Sequence, residues 1–141
     1  MFESDDFWDF YWEVRLQEIE TLGKRAAIIA GSKLIRRLLT ETGRPVRLLE
    51  LGCGEGQIIG PLVEAHAQHV QGATGIDYKR QSIDVSKAHY PGIRFIEGDF
   101  TDQQLLESLG QFDLLLLVNA LHEVFSDAYS DELGEVDVQE A

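Results

Sequence analysis

The segment 47–57 constrains the fold most, because it joins a short apolar strand to a glycine-spaced turn and then to a helix. Residues 46–51 predict a buried parallel strand, since the run is too short and too rich in β-favouring residues for a helix. Gly52, Gly54 and Gly56 permit a sharp turn and let a ligand approach the backbone closely. The next helix offers free N–H groups at its start. The segment is therefore typical of a nucleotide-binding turn.

The spacing of the glycines separates one class of nucleotide from another. A nicotinamide fingerprint, Gly-x-Gly-x-x-Gly, would need glycine at position 57, where this chain has Gln57. A phosphate-binding P-loop needs Gly-Lys-Ser/Thr, a tripeptide that the sequence lacks. Glu50 stands before the glycines instead, and a carboxylate there suits a cationic ligand better than a pyrophosphate. The spacing therefore argues against a dinucleotide.

With Glu50, Gly52, Gly54 and Gly56 in this order, the chain resembles the class I S-adenosylmethionine-dependent methyltransferases, whose first motif is an acid followed by Gly-x-Gly-x-Gly. The resemblance covers roughly residues 25–125. It implies an α/β fold with a Rossmann-like, doubly wound parallel sheet and helices on both faces. It also implies S-adenosylmethionine as the cofactor.

Two further segments agree with the resemblance. Residues 73–78 predict a second strand ending at Asp77, which in the family accepts hydrogen bonds from the ribose hydroxyls, with Tyr78 next to it. Asp77 lies 21 residues beyond Gly56, close to the offset that a βαβ unit needs. Residues 93–100 resemble the third motif, in which Asp99 would meet the adenine amino group and Phe100 would pack on the ring.

A fourth apolar strand, Leu114 to Val118, is followed by residues at the carboxyl edge of the predicted sheet, where ligands of open α/β sheets bind. His122 and Glu123 follow there as candidate general bases, and His122 suits the role better because its unperturbed pKa lies near neutrality. The resemblance implies a cofactor site made of Glu50, Gly52, Cys53, Gly54, Gly56, Asp77, Tyr78, Asp99, Phe100, Asn119 and Ala120.

Six of the 13 aromatic residues fall within the first twelve positions. This density predicts either an amphipathic helix that packs its rings on the domain or a lid over the cofactor pocket. Tyr11 and Arg15 lie one helical turn apart and would both face the pocket in the second case, with Arg15 near the methionine carboxylate. Residues 1–20 are therefore predicted to form an aromatic, acidic N-terminal helix or lid.

The remaining chain divides into a cofactor-binding domain over 21–125 and an acidic tail, or the start of a further helix, over 126–141. A helix is predicted from about Thr21 to Thr40, with lysine and arginine, including Arg36, on its polar face. The helix after the glycines is predicted to begin near Gly60 or to kink there, because Pro61 is tolerated only in a first turn.

The net charge of −13 is concentrated at the ends of the chain. Residues 1–20 carry a net charge of −6 and residues 121–141 carry −7, while the intervening part is balanced. Such ends repel polyanions, so a nucleic-acid partner is not expected. Composition fits a single cytosolic, hence cytoplasmic, globular domain, with no signal peptide and no apolar run long enough to span a bilayer.

Cysteine and histidine give no indication of a metal site. Cys53 is the only cysteine, and its place between glycines suggests a small residue in the turn more than a nucleophile. Four histidines are scattered, and the pair His66 and His69 on one predicted helix is thin support for zinc.

The end of the sequence departs from the family pattern, because only four of its seven strands are accounted for. Nothing after the fourth strand is predicted to pair with its free edge, although the strand is apolar on both faces. Three interpretations of the free edge remain open. The sequence is an N-terminal portion of a longer protein, the chain self-associates through this edge, or the tail from Asp127 covers it.

Methyl transfer to a small-molecule acceptor is the predicted function. Asn119 does not begin the Asn/Asp-Pro-Pro-aromatic tetrapeptide of many enzymes that methylate amide or adenine nitrogens. A non-catalytic cofactor-binding or assembly module stays open as an alternative, and a nicotinamide-dependent oxidoreductase is a further one that Gln57 disfavours.

Overall fold

The structure is a computed structural model that describes residues 4–17 and 22–118. Helices and strands alternate after a first pair of helices. In chain order the elements are α1 (Asp5–Arg15), α2 (Leu22–Thr42), β1 (Val46–Leu51), α3 (Ile59–Ala65), β2 (Val70–Asp77), α4 (Arg80–His89), β3 (Arg94–Glu97), α5 (Gln103–Ser108) and β4 (Leu114–Leu116). This order confirms the predicted strand–helix alternation.

The four strands form one parallel sheet in the order β3-β2-β1-β4. The chain moves from β1 to β2 and β3 on one side and then returns to place β4 on the other side of β1. The strand order therefore reverses next to β1, and ligands of open α/β sheets bind in the crevice at such a point. The sheet is that of the predicted Rossmann-like class, and four strands are present in the described part of the chain.

Side chains of β1 alternate between two cores, which is why both faces of the sheet carry helices. Val46 and Leu48 pack with α1 to α4, whereas Leu49 and Leu51 pack with the α5 region and Leu109. All four of these strand residues are buried. A strand covered on both faces needs a near-continuous apolar run, and β1 has one.

α2 begins and ends within two residues of its predicted limits, but its polar face was assigned wrongly at Arg36. This side chain is buried, donates from Nε to the Ser32 carbonyl at 3.2 Å and pairs through Nη1 with Asp5 at 2.6 Å. Its guanidinium carbon also lies 5.5 Å from the centroid of the Trp8 ring. Helical periodicity cannot reveal this, because the acid and the ring come from α1, 28 or more residues earlier.

α1 packs the indoles of its inner face into the core. Ser4 caps the helix by accepting a hydrogen bond from the Phe7 amide at 3.2 Å. Trp8 and Trp12 are buried, and Leu16 continues their face beyond the end of the helix. Phe7 on the outer face stays 44% exposed. The burial of these two indoles agrees with an amphipathic helix that packs its rings on the domain.

His66 links α1 to the rest of the domain through a buried polar chain. Its Nε2 shares a hydrogen bond of 2.8 Å with the Ser32 hydroxyl, and its Nδ1 lies 2.9 Å from Nδ1 of His69. Trp8 stacks on the imidazole with ring centroids 4.2 Å apart. The two histidines do not share a helix as predicted, because α3 ends at Ala65 and both lie in the following turn.

The burial of His66 predicts that the domain loses stability in acid. Burial, together with smaller contributions from the charges of His69 and Arg36, lowers the pKa of His66 to about 3. An unfolded histidine binds its proton near pH 6.5, so the stabilisation is present above that pH and is lost as pH falls from 6.5 toward 3. In urea unfolding, His66 should contribute a slope of at most about 1.4 kcal/mol per pH unit in this window, measured as the difference between the parent chain and a variant without this imidazole.

Two variants isolate this effect. His66→Gln should remove much of the acid slope, whereas His89→Gln, at the exposed end of α4, should leave it unchanged. An identical slope in His66→Gln and the parent chain would show that other groups cause the loss.

β4 lies at the edge of the sheet within the described residues, and Leu115 is 49% exposed there. It pairs with β1 through Leu48, Leu49 and Glu50 and ends at Leu116, two residues before the predicted end. The tail that was considered as its cover lies outside the described residues. Self-association through this edge stays a prediction.

Candidate functional site

The carboxyl ends of the strands gather acidic side chains at one edge of the sheet. Glu50 is the penultimate residue of β1 and Asp77 is the last residue of β2, beside β1. Asp99 follows β3 by two residues on the far side of β2. Because all strands are parallel, these three acids lie along the same edge, in the order that the sequence predicts.

The glycine turn is held against the end of β2 by its backbone. The amides of Gly52 and Cys53 donate to the Ile76 carbonyl at 2.7 and 3.0 Å, and the Gly54 amide donates to Asp77 Oδ1 at 3.2 Å. Gly52, Gly54 and Gly56 have φ angles of 71°, 54° and 81°. Side chains rarely adopt this left-handed conformation, so glycine is required by the turn itself.

Gly56 has a second, purely structural reason to lack a side chain. A Cβ atom at this position would lie 3.1 Å from the Tyr90 ring and 3.3 Å from Phe95. A Cβ at Gly60, in the first turn of α3, would lie 2.2 Å from the same tyrosine. Tyr90 therefore covers the path from the turn into α3. Sequence reasoning missed Tyr90, since no motif marks a tyrosine 30 residues after a glycine that it covers.

α3 begins one residue before the predicted start and places Pro61 in its first turn, as predicted. α4 supports the turn from the other side, because the Ser86 hydroxyl donates to the Gly54 carbonyl at 2.8 Å. Ser86 is buried and was also missed by the sequence prediction.

Glu50 is the least satisfied polar group of this edge. Its side chain is 0% exposed, and neither carboxylate oxygen forms a well-aligned hydrogen bond with a described residue, although the Ile59 amide lies close enough to stabilise the charged form. Burial raises the pKa of Glu50 to about 8, and the charge of Asp77 adds to the rise, while the nearby Ile59 amide and Lys24 oppose it. A buried carboxylate without a partner is costly in its charged form, so this position favours a cationic ligand.

Asp77 is buried and already holds two backbone amides. Oδ1 accepts from Gly54, and Oδ2 accepts from Lys79 at 3.0 Å. A carboxylate offers about four lone-pair sites, so two of them are left for further donors such as hydroxyl groups. Asp77 thus joins the glycine turn to the start of α4 and keeps capacity for a ligand.

Cys53 faces the interior and not the crevice. It is buried, and a Cβ at Gly75 on β2 would lie 2.9 Å from its sulfur. Burial raises the pKa of the thiol well above its ordinary value, and the charges of Glu50 and Asp77 act in the same direction. These properties agree with the predicted small, unreactive residue of the turn.

The predicted adenine-side residues lie at the ends of β2 and β3. Tyr78 is exposed, and Nζ of Lys79 lies 5.5 Å from its ring centroid. Asp99 Oδ1 accepts from the Thr101 hydroxyl at 2.6 Å and from its amide at 2.8 Å, and these two bonds lower the pKa of Asp99. Phe100 packs against the core on the α5 side. Their contact with a cofactor stays a prediction.

Tyr11 and Arg15 lie along α3. Arg15 Nη2 is 3.4 Å from Oε1 of Glu64, and both side chains are about half exposed. The Tyr11 ring packs edge-on against Trp8 and Trp12. A cation nearer to the glycine turn is Lys24 in the first turn of α2, which donates to the side chain of Gln57 and interacts with the charge of Glu50. The sequence prediction did not include Lys24.

The candidate residues beyond β4 cannot be placed. Asn119, Ala120, His122 and Glu123 lie outside the described residues. Residues 4–17 and 22–118 contain no group of three or more histidine, cysteine or acidic side chains that could hold a metal ion. In the same ranges, the helices are too short or too polar to cross a membrane.

Residues 48–136 match the family described as methyltransferase domain. The match spans more than half of the sequence, begins within β1, and includes the glycine turn and the later strands of the described part of the chain. The chain belongs to this family. The assignment made from Glu50 and the three glycines is therefore confirmed at the level of the family and its fold. No curated protein is significantly similar to the chain in sequence.

Solved structures of three proteins share the fold. The plantazolicin methyltransferase BpumL, in complex with S-adenosylhomocysteine, has a TM-score of 0.53 and 21% identity, covering 79% of this chain and 41% of that chain. The plantazolicin methyltransferase BamL, in complex with a triazolic desmethylPZN analog and S-adenosylhomocysteine, has a TM-score of 0.51 and 22% identity, covering 78% of this chain and 38% of that chain. WbdD, crystallised with a kinase inhibitor, has a TM-score of 0.53 and 24% identity, covering 62% and 20%. The chain thus spans less than half the length of each of these proteins.

Proposed function

We propose that this chain is the cofactor-binding domain of an S-adenosylmethionine-dependent methyltransferase that acts on a small-molecule acceptor. The observation that carries the proposal is the Glu50 carboxylate, fully buried at the end of β1 beside the glycine turn and without a hydrogen-bond partner among the described residues. A cationic cofactor supplies the charge that this carboxylate lacks. A pyrophosphate-containing dinucleotide would bring charge of the wrong sign.

Each described site residue has a role that fits its geometry. Glu50 neutralises the positive charge of the cofactor, and the glycine turn lets it lie close to the backbone. Asp77 uses its two remaining lone-pair sites for the ribose hydroxyls, while Asp99 and Phe100 at the end of β3 hold the adenine. The cofactor supplies an activated methyl group on a sulfonium. The protein therefore has mainly to position the acceptor in line with it and to exclude water.

The residues that would act on the methyl acceptor are inferred from the sequence. His122 is proposed as the base that deprotonates the acceptor, with Glu123 as the alternative. A small-molecule acceptor agrees with the missing tetrapeptide at Asn119 and with acidic ends that disfavour nucleic acid. The solved relatives BpumL and BamL carry plantazolicin methyltransferase in their descriptions, which supports the reaction class. A cytoplasmic location, indicated by composition, belongs to the same proposal.

Calorimetry on the purified chain tests cofactor binding. S-adenosylhomocysteine should bind at a single site, and NADH should not compete with it. Asp77→Ala should weaken the affinity at least about tenfold, because each charge-assisted hydrogen bond contributes roughly 1.5–3 kcal/mol. Asp77→Asn, which keeps one acceptor oxygen, should have an affinity between those of the parent chain and Asp77→Ala.

Asp84→Ala is the matched control, because Asp84 is an exposed acid of α4 and its replacement changes the net charge by the same amount as Asp77→Ala. It should bind like the parent chain. A folded Asp77→Ala variant with unchanged affinity would remove Asp77 from the site. Tight NADH binding would favour the oxidoreductase alternative.

A further inference from the structure

A groove on the helical layer lies apart from the glycine turn. It is formed between α1 and the C-terminal end of α3 and has a volume of about 350 Å³. Phe7, Tyr11, Glu64, Gln68 and His69 line it together with Trp8 and two alanines. The Val46 amide donates to the His69 carbonyl, so this end of the groove lies at the amino edge of the sheet. The other end of the groove, at Glu64, lies nearer to Tyr90, whose ring covers Gly56 and Gly60.

Three features of the groove favour a positive charge. Aromatic rings attract cations over their faces, and three of them line this groove. Glu64 contributes a carboxylate that is about half exposed. The groove also lies where α3 ends, and the backbone carbonyls at the end of a helix favour cations. Its volume falls within the range of small-ligand sites.

Of the α1 rings that line the groove, Phe7 and Tyr11 keep some exposed surface. Trp8 is already stacked on His66 at 4.2 Å, and the Arg36 guanidinium lies 5.5 Å from its centroid. Phe7 and Tyr11 lie nearly parallel, at 27°, with centroids 6.3 Å apart. Phe7 is 44% exposed.

We propose that this groove binds an organic cation with a quaternary ammonium group, held by the rings of Phe7 and Tyr11 and by the Glu64 carboxylate. An ammonium group without N–H donors needs no hydrogen-bond acceptors and suits apolar ring faces. Arg15 competes for this site, because its guanidinium pairs with Glu64 at 3.4 Å. Exposed pairs of this kind contribute little, so a ligand can displace Arg15. The inference does not depend on the methyltransferase function.

Choline and its neutral isostere 3,3-dimethylbutan-1-ol are the probes. Tryptophan fluorescence of the full chain is titrated with each, with sodium chloride matching the ionic strength. Choline should bind in the millimolar range, and the isostere at least about threefold more weakly, as the cation–aromatic contribution at an exposed site predicts. Glu64→Gln and Tyr11→Leu should each weaken choline binding about threefold. Arg15→Gln should tighten it.

Phe10→Ala is the matched control, because Phe10 is an exposed aromatic of α1 that does not line the groove. It should bind choline like the parent chain. Thermal unfolding of each variant verifies that α1 stays packed. Equal affinity for choline and the isostere, or no binding of choline by the folded parent chain, would overturn the proposal. An unchanged affinity in both Glu64→Gln and Tyr11→Leu would do the same.

Discussion

Gly54→Val should abolish binding of S-adenosylhomocysteine while the domain stays folded. Gly54 has a φ of 54°, where a β-branched residue is a genuine outlier, and its amide holds Asp77. Valine would place its side chain where a ligand approaches the turn, and the strained backbone would cost about 1–3 kcal/mol. Calorimetry and far-UV circular dichroism measure the two effects separately.

Gly43→Val separates strain from binding. Gly43 ends α2 with a φ of 70°, and a Cβ there would meet no other group of the structure within 4 Å. The variant should therefore be destabilised to a similar degree and still bind the cofactor. Loss of binding in both variants would mean that reduced stability, and not the turn, explains the result at Gly54.

Glu50→Gln should make the domain more stable above neutral pH and bind the cofactor far more weakly. Glutamine keeps the shape of the side chain but removes a charge that is buried without a hydrogen-bond partner among the described residues. Leaving a ligand charge without its buried partner costs about 2 kcal/mol or more, which is about thirtyfold in affinity. Urea unfolding and calorimetry at the same pH measure the two opposite changes.

The pH dependence of the free energy of unfolding shows whether ionisation of Glu50 destabilises the folded domain. Its pKa rises from 4.5 to about 8 on folding, so the unfolded chain loses this proton earlier than the folded one. The free energy of unfolding should therefore fall by at most about 1.4 kcal/mol per pH unit between about pH 6.5 and 8, because below about pH 6.5 the opposite contribution of His66 offsets this fall. The slope should be absent in Glu50→Gln. Cofactor binding by the parent chain should release a proton at pH 7 and tighten toward pH 8.

If Glu50→Gln and the parent chain had the same free energy of unfolding at pH 8, the carboxylate would have a partner in solution. An unchanged cofactor affinity would contradict the proposed role of Glu50. Glu55→Gln is a useful control for charge alone, because Glu55 is an exposed acid of the same turn.

Local patterns predicted the parts of the fold that local chemistry determines. A single βαβ unit contains the apolar run of β1, the three glycines and the acid at the end of β2. The chain distance between them therefore fixes their arrangement in space. Proline in the first turn of α3 follows from the same kind of rule. These residues lie at the carboxyl edge of the sheet, which is proposed to bind the cofactor, and their places in the fold were predicted from sequence.

Residues whose environment is made by distant elements were not predictable in this way. Arg36 follows a polar helical pattern but is buried by Asp5 and Trp8 of α1. Tyr90 covers Gly56 and Gly60 from the end of α4. Lys24 reaches the glycine turn only because α2 begins beside it. In each case the partner lies far away in the chain, and periodicity carries no information about it.

Amide hydrogen exchange with and without S-adenosylhomocysteine tests the central claim most directly, because it locates the ligand on the domain. The account predicts slower exchange at 50–58, 76–80 and 97–101, the three segments at the carboxyl edge of the sheet, and unchanged exchange over 5–15 in α1. Slowing confined to other segments, or saturable binding without any slowing at 50–58, would contradict it.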